Sequence, residues 1–176
     1  MDDEVTGEAG SLQVAPPTLY EAETKAKIEA DTKKFFSIRI LDEAESYFST
    51  LPTEHRHWLV DALVTKSIEM KEPDVVLVSE LFIRVRENGL CSPAAFQEGF
   101  NGLAETLDDL SVDVPKARAY FAILLRGSGL DQREKRRGRI TEKTMDADKL
   151  NGLLWRGFAC IFFLVCSVLL AYCMTR

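Results

Sequence analysis

The chain has 176 residues, 46% of them hydrophobic and 28% charged, which is one ordinary domain with tails, able to bury a core, and excludes a disordered protein. All 28 acidic residues precede Trp155, against 20 of the 22 basic ones, so the region before Trp155 carries −8. That charge repels phosphate backbones and suits a basic protein partner; it argues against nucleic-acid binding as the main activity without excluding a local patch.

The leader 1–17 is acidic, contains Gly and Ser, ends in Pro16-Pro17 and reads as disordered. Thr18-Leu-Tyr-Glu21 has the form of a capping box, with Thr18 as N-cap, and predicts a first helix to about Phe36. Leu41, Ala44, Phe48 and Leu51 recur at steps of three and four and predict a second, ended by Pro52. A third is expected from about Thr53 to Met70, burying Leu59, Ala62, Leu63 and Ile68. A fourth starts near Pro73, carries Leu77, Leu81 and Val85, and stops at Asn88-Gly89.

The fifth helix has the clearest signals. Ser92 caps it, Pro93 takes its first turn, and Phe96, Phe100, Leu103, Leu107 and Leu110 line one face. A break at Ser111-Val-Asp-Val114 precedes a sixth helix opening at Pro115, with Ala117, Tyr120, Phe121 and Leu124 inward and Gly127 and Gly129 ending it. A seventh is expected over Ile140 to Leu154. The expected fold is all-α: six to seven helices in stacked antiparallel hairpins, HEAT-like, followed by a C-terminal hydrophobic segment.

Three stretches carry a family resemblance: Phe36 to Phe48 (FSIRILDEAESYF), Cys91 to Phe100 (CSPAAFQEGF) and Leu107 to Ala117 (LDDLSVDVPKA). The chain resembles the MI domain of the translation initiation factor 4G scaffold family, fungal-type, related to the domains of programmed cell death protein 4. The resemblance implies an MI-like helical domain over 18–130 with no activity or cofactor of its own. It also implies docking of an initiation factor 4A-type DEAD-box helicase, with membership of a translation initiation complex and indirect association with mRNA. The implied contact residues are Asp108, Asp109, Asp113 and Pro115, with Asp109 and Asp113 as the principal carboxylates. In a helix's last turn Asp108 and Asp109 oppose the macrodipole, and a basic partner would be a reason to keep them. The plainer reading is that Asp113 caps the sixth helix while Asp108 and Asp109 are solvated.

The segment 131–154 reads as a basic linker and last helix. Its run Arg133, Lys135, Arg136, Arg137 and Arg139 is a charged linker on the plain reading and an anionic-lipid or RNA contact on the other. Residues 155–176 form a hydrophobic tail in which 157–174 hold no charge; as a helix those would span roughly 27 Å, close to a hydrocarbon core about 30 Å thick. Phe158, Ile161, Phe162, Phe163, Leu164, Val165, Leu169 and Leu170 would face lipid, as a tail anchor with the domain facing the cytosol. A buried core helix and an unrelated extension, as a misread exon produces, are the competing readings.

Cys91, Cys160, Cys166 and Cys173 show no CxxC or Cys/His spacing, which excludes a disulfide framework and a zinc site. The acidic opening Met1–Gly10 is unlike a signal peptide, so a cytoplasmic location is expected, at the membrane if the tail anchors it. His55 and His57 point about 200° apart on a helix and cannot share a metal; a solvated first turn is their expected setting. Phosphate-cradle and common hydrolase motifs are absent. The expectation is a binding module, neither an enzyme nor a receptor for a small-molecule substrate.

Overall fold

The computed structural model describes residues 19–154, with 133, 145 and 146 excepted. The leader, the Thr18 cap and the tail 155–176, with the lipid-facing residues expected there, lie outside the described residues. Among the described residues no helix is long and apolar enough to cross a membrane.

The fold is all-α. The helices are α1 (Leu19–Ile38), α2 (Leu41–Thr50), α3 (Arg56–Ile68), α4 (Glu72–Glu87), α5 (Pro93–Asp113), α6 (Ala117–Ser128) and α7 (Glu134–Thr141). A single 3₁₀ turn, Thr53–His55, precedes α3, and a further helical stretch covers 147–154. Local chemistry explains several ends. Ser92 Oγ accepts from the Ala95 N–H at 3.1 Å at the start of α5, and Pro73 stands in the first turn of α4 behind Lys71. Proline there gives up only an N–H that would have no helical partner.

Consecutive helices α1–α2, α3–α4 and α5–α6 pack as hairpins, and the hairpins stack. The odd helices make one layer, α1 on α3 on α5 on α7, and the even helices α2, α4 and α6 make the other. Contacts advance together along each neighbouring pair. In the odd layer Tyr20 meets His55, His57 meets Glu98 and Arg136 meets Gln97; farther along, Lys143 meets Glu105. Helices within this layer therefore run parallel, with their N-terminal ends along one edge. In the even layer Lys116 reaches Glu72 at 3.2 Å and Ser79 Oγ donates to the Ile123 carbonyl at 3.1 Å, so α4 and α6 are parallel too.

The core lies between the layers. Phe82 of α4 meets Phe96 and Phe100 of α5 edge-on, with centroids 5.2 and 6.0 Å apart, and Phe100 meets Phe121 of α6 at 5.4 Å. All four rings are fully buried, in the edge-to-face geometry that aromatic quadrupoles favour. Two glycines set how closely the layers' members approach. A Cβ on Gly99 would stand 2.7 Å from the His57 carbonyl oxygen and from Val60, and one on Gly127 2.6 Å from the carbonyl and hydroxyl oxygens of Ser79. Gly127 therefore does not end α6, as the sequence suggested; it lies inside the helix and lets α6 touch α4.

The last segment also differs from expectation. The basic run is not a linker: Glu134–Thr141 is helical and packs on α5. The expected helix from Ile140 to Leu154 is instead divided between the end of α7 and the stretch 147–154. Ile140, Leu150 and Leu154 join the core cluster, which gives both pieces an inward side.

Candidate functional site

The corner between α5 and α6 holds the acidic residues that the sequence singled out. α5 does not break at Ser111. Ser111 Oγ donates to the Leu107 carbonyl at 2.6 Å, and the helix runs on to Asp113. It stops because Pro115 restricts the residue before it: Val114 sits at φ −118°, ψ 89°, outside the helical region, while its N–H still bonds the Leu110 carbonyl at 2.8 Å. One turn later α6 starts at Ala117 behind Lys116, so Pro115 precedes the helix rather than opening it, and Asp113 closes α5 rather than capping α6.

These boundaries sort the four named residues. Asp108 is engaged within the fold: its carboxylate accepts from Arg118 Nη2 at 2.7 Å and Nε at 3.2 Å, and its side chain is 13% exposed. Two donors from one guanidinium fix the angle between α5 and α6. Asp109 and Asp113 are exposed and make no salt bridge among the described residues. They are one turn apart on the same face, and Val112 stands between them, 81% exposed. An exposed valine between two unpaired carboxylates is the feature that the sequence reading missed; its place three residues after Asp109 and one before Asp113 was the available signal.

Pro115 is exposed and rims a depression of about 430 Å³ with Arg118, Ala119, Lys149, Gly152 and Leu153. The corner is thus a carboxylate-and-valine face beside a shallow hollow with basic residues in its wall. Its functional groups accept hydrogen bonds and attract cations, and no nucleophile is poised among them. Cys91 stands apart near the start of α5, its thiol pushed up to about 12 by burial, a state without thiolate reactivity at neutral pH. Among the described residues no group of His, Cys, Asp and Glu is placed to hold a metal ion.

A second concavity, of about 630 Å³, lies between α1 and α3, with Ile28, Phe36, Trp58, Ala62 and Met70 in its apolar wall. Its rim charges are largely satisfied: Lys33 pairs with Glu29 at 2.6 Å and Lys66 with Glu69 at 3.0 Å. At its upper end His55 stacks on Trp58 at 4.3 Å, with Tyr20 tilted against His55 at 5.8 Å. The histidine turn is therefore a packed aromatic cluster and not the solvated turn expected, because Trp58 gives His55 a flat surface to cover.

Residues 24–127 match the MA3 domain family, a stretch that includes α2 to α5, the acidic corner and nearly all of α6. MA3 and MI domains belong to one helical HEAT-like superfamily and mediate protein interactions in translation-related proteins. No solved structure matches the chain.

Proposed function

The chain belongs to the MA3 domain family, and from that premise we propose that it docks an initiation factor 4A-type DEAD-box helicase in the manner of the initiation factor 4G scaffold. The reading rests on one observation: Asp109, Val112 and Asp113 share an exposed face where, among the described residues, no cation satisfies the carboxylates. Basic side chains of the helicase supply the missing charge, and Val112 provides the apolar contact between them. Asp108 and Pro115 position this face, Asp108 through Arg118 and Pro115 by ending α5 where it does. The chain acts by binding and not by catalysis, and reaches the initiation complex, and mRNA, through the helicase.

Charge-pair docking weakens with salt, since exposed charges are screened over about 8 Å at physiological ionic strength. The test is co-purification of the chain with an initiation factor 4A helicase at low and high salt. Binding is expected at low salt and is expected to fall as salt rises. Asp109→Lys with Asp113→Lys should weaken it more than tenfold while the circular dichroism spectrum stays the same. Retained binding by that double variant would reject the assignment of the corner.

A further inference from the structure

The eight residues of α7 include four cations, Lys135, Arg136, Arg137 and Arg139. Elsewhere the helices neutralise most of their basic residues: Lys33 pairs with Glu29, Lys66 with Glu69, Arg84 with Asp42 and Arg118 with Asp108. On α7, among the described residues, none of the four meets a carboxylate. Arg136 Nη1 donates to the neutral Gln97 side chain at 3.3 Å and Arg137 Nη1 to the Asp131 carbonyl at 3.4 Å. Lys135 and Arg139, one turn apart, are exposed.

Gly138 adjoins them on the same side of the helix. A Cβ there would meet nothing nearer than a Glu142 carboxylate oxygen at 4.0 Å, so packing does not require glycine, and its lack of a side chain leaves the surface open to close approach. The acids in this neighbourhood are Glu134 at the start of α7, Glu142 one turn on, Glu98 facing His57 and Glu105, which Lys143 occupies.

The second observation lies along the same edge of the odd layer. The first turn of α7 meets the second turn of α5 through Arg136 and Gln97. The second turn of α5 meets the first of α3 through Glu98 and His57, 3.7 Å apart, and the 3₁₀ turn before α3 meets the first turn of α1 through His55 and Tyr20. At that far end Tyr20 is 53% exposed beside the stacked His55 and Trp58 rings, and Lys25 Nζ lies 4.9 Å over the Trp58 ring. Cations that meet no carboxylate among the described residues and an aromatic platform therefore share one edge, roughly three interhelical spacings of about 8–10 Å apart.

We propose that this edge binds a single-stranded nucleic acid. Its phosphates meet Lys135 and Arg139, with Arg136 and Arg137 behind them, and a base stacks on Tyr20. Cations alone would suit an acidic polypeptide equally well; the aromatic platform favours a strand, because bases stack and carboxylates do not. The domain's overall acidity makes such binding weak and local, which is compatible with a contact of a few phosphates. The site is separate from the helicase corner: Asp109 and Asp113 lie 12 and 16 residues beyond Gln97 on α5, roughly 18–24 Å along the helix. Both can be filled at once.

The test is fluorescence anisotropy of a labelled oligouridylate of about 15 nucleotides with the full chain, across a range of salt. Saturable binding at low salt is expected, and Lys135→Glu with Arg139→Glu should weaken it at least tenfold and flatten its salt dependence. Arg139→Ala alone should weaken it less, and it serves as the milder variant should the double one lose helicity. Tyr20→Ala should weaken binding about fivefold or more and leave the salt slope unchanged, since stacking releases no counterions. Asp109→Lys with Asp113→Lys should not weaken it. Absence of binding at low salt, or parental affinity in the charge variants, would overturn the proposal. So would parental affinity in Tyr20→Ala, or displacement by polyglutamate as readily as by unlabelled oligouridylate, which would mark the edge as a surface for acidic polypeptides.

Discussion

The α3–α5 and α1–α3 interfaces belong to one layer and have the same parallel arrangement, yet they pack differently. At α3–α5, Gly99 brings the α5 backbone against the His57 carbonyl and Val60, with no space for a methyl group. At α1–α3 the facing positions carry Lys25, Glu29, Lys33, Thr65, Lys66 and Glu69, and a groove of about 630 Å³ remains. There the hydroxyl of Thr32, buried to 6% exposure, finds no hydrogen-bond partner among the described residues. Topology sets which helices are neighbours, whereas side-chain size at the contact sets how near they come. Long charged stems hold helices apart; a glycine lets them meet.

The comparison breaks most visibly in the core. Phe100→Ala should cost about 3–5 kcal/mol, because the ring contacts Phe82 and Phe121 edge-on and its loss leaves a cavity; an unchanged thermal melt would contradict that packing. Gly99→Ala and Gly127→Ala should each cost about 1–3 kcal/mol from overpacking, although alanine is the better helix former by about 1 kcal/mol. A gain in denaturant midpoint from either would show that the helices do not touch there.

Gly102 sharpens the contrast. It lies on the same helix as Gly99, one turn on, and its Cβ would meet only Asp61 Oδ1, at 3.5 Å, an ordinary contact. Gly102→Ala should therefore raise stability by up to about 1 kcal/mol, opposite in sign to Gly99→Ala. Two losses would mean that the tight contact extends along the whole of α5. The smallest effect is expected in the groove: Thr32→Val should be neutral or stabilising, within about 1 kcal/mol, since it removes a buried polar group that has no partner. A loss well beyond that, measured by urea titration, would mean that the hydroxyl is bonded in solution.

Much of the fold was legible in the residues. The stripes Phe96, Phe100, Leu103 and Leu107 of α5 and Ala117, Tyr120, Phe121 and Leu124 of α6 are buried where their spacing put them. The Ser92 cap makes its bond. Boundaries were less legible where local preference and tertiary contact disagree: Ser111, Val112 and Asp113 are poor helix formers, yet Leu107 and Leu110 on the core face keep α5 wound until Pro115 ends it. The candidate corner was half legible. The carboxylates and proline were visible in LDDLSVDVP, but the Arg118 pairing that occupies Asp108 spans two helices and depends on their angle. Val112, an apolar residue among acids, signalled its exposure only through its spacing from Asp109 and Asp113, which the sequence reading did not use.

Periodicity, caps and breakers are local, and from them the sequence alone determined an all-helical chain, part of its core and the approximate extent of its first six helices. Ala62 and Leu77 proved only half-buried, and Phe35, Val60, Val75 and Phe82 are core residues it did not single out. Tertiary structure decided what depends on distance between segments. It set the parallel ladder of odd and even layers, the contrast between the glycine contacts and the open groove, the internal role of Asp108, and the alignment of α7 with Tyr20 along one edge. Each of these couples residues tens of positions apart, and a spacing rule that works over one or two helical turns carries no information at that range.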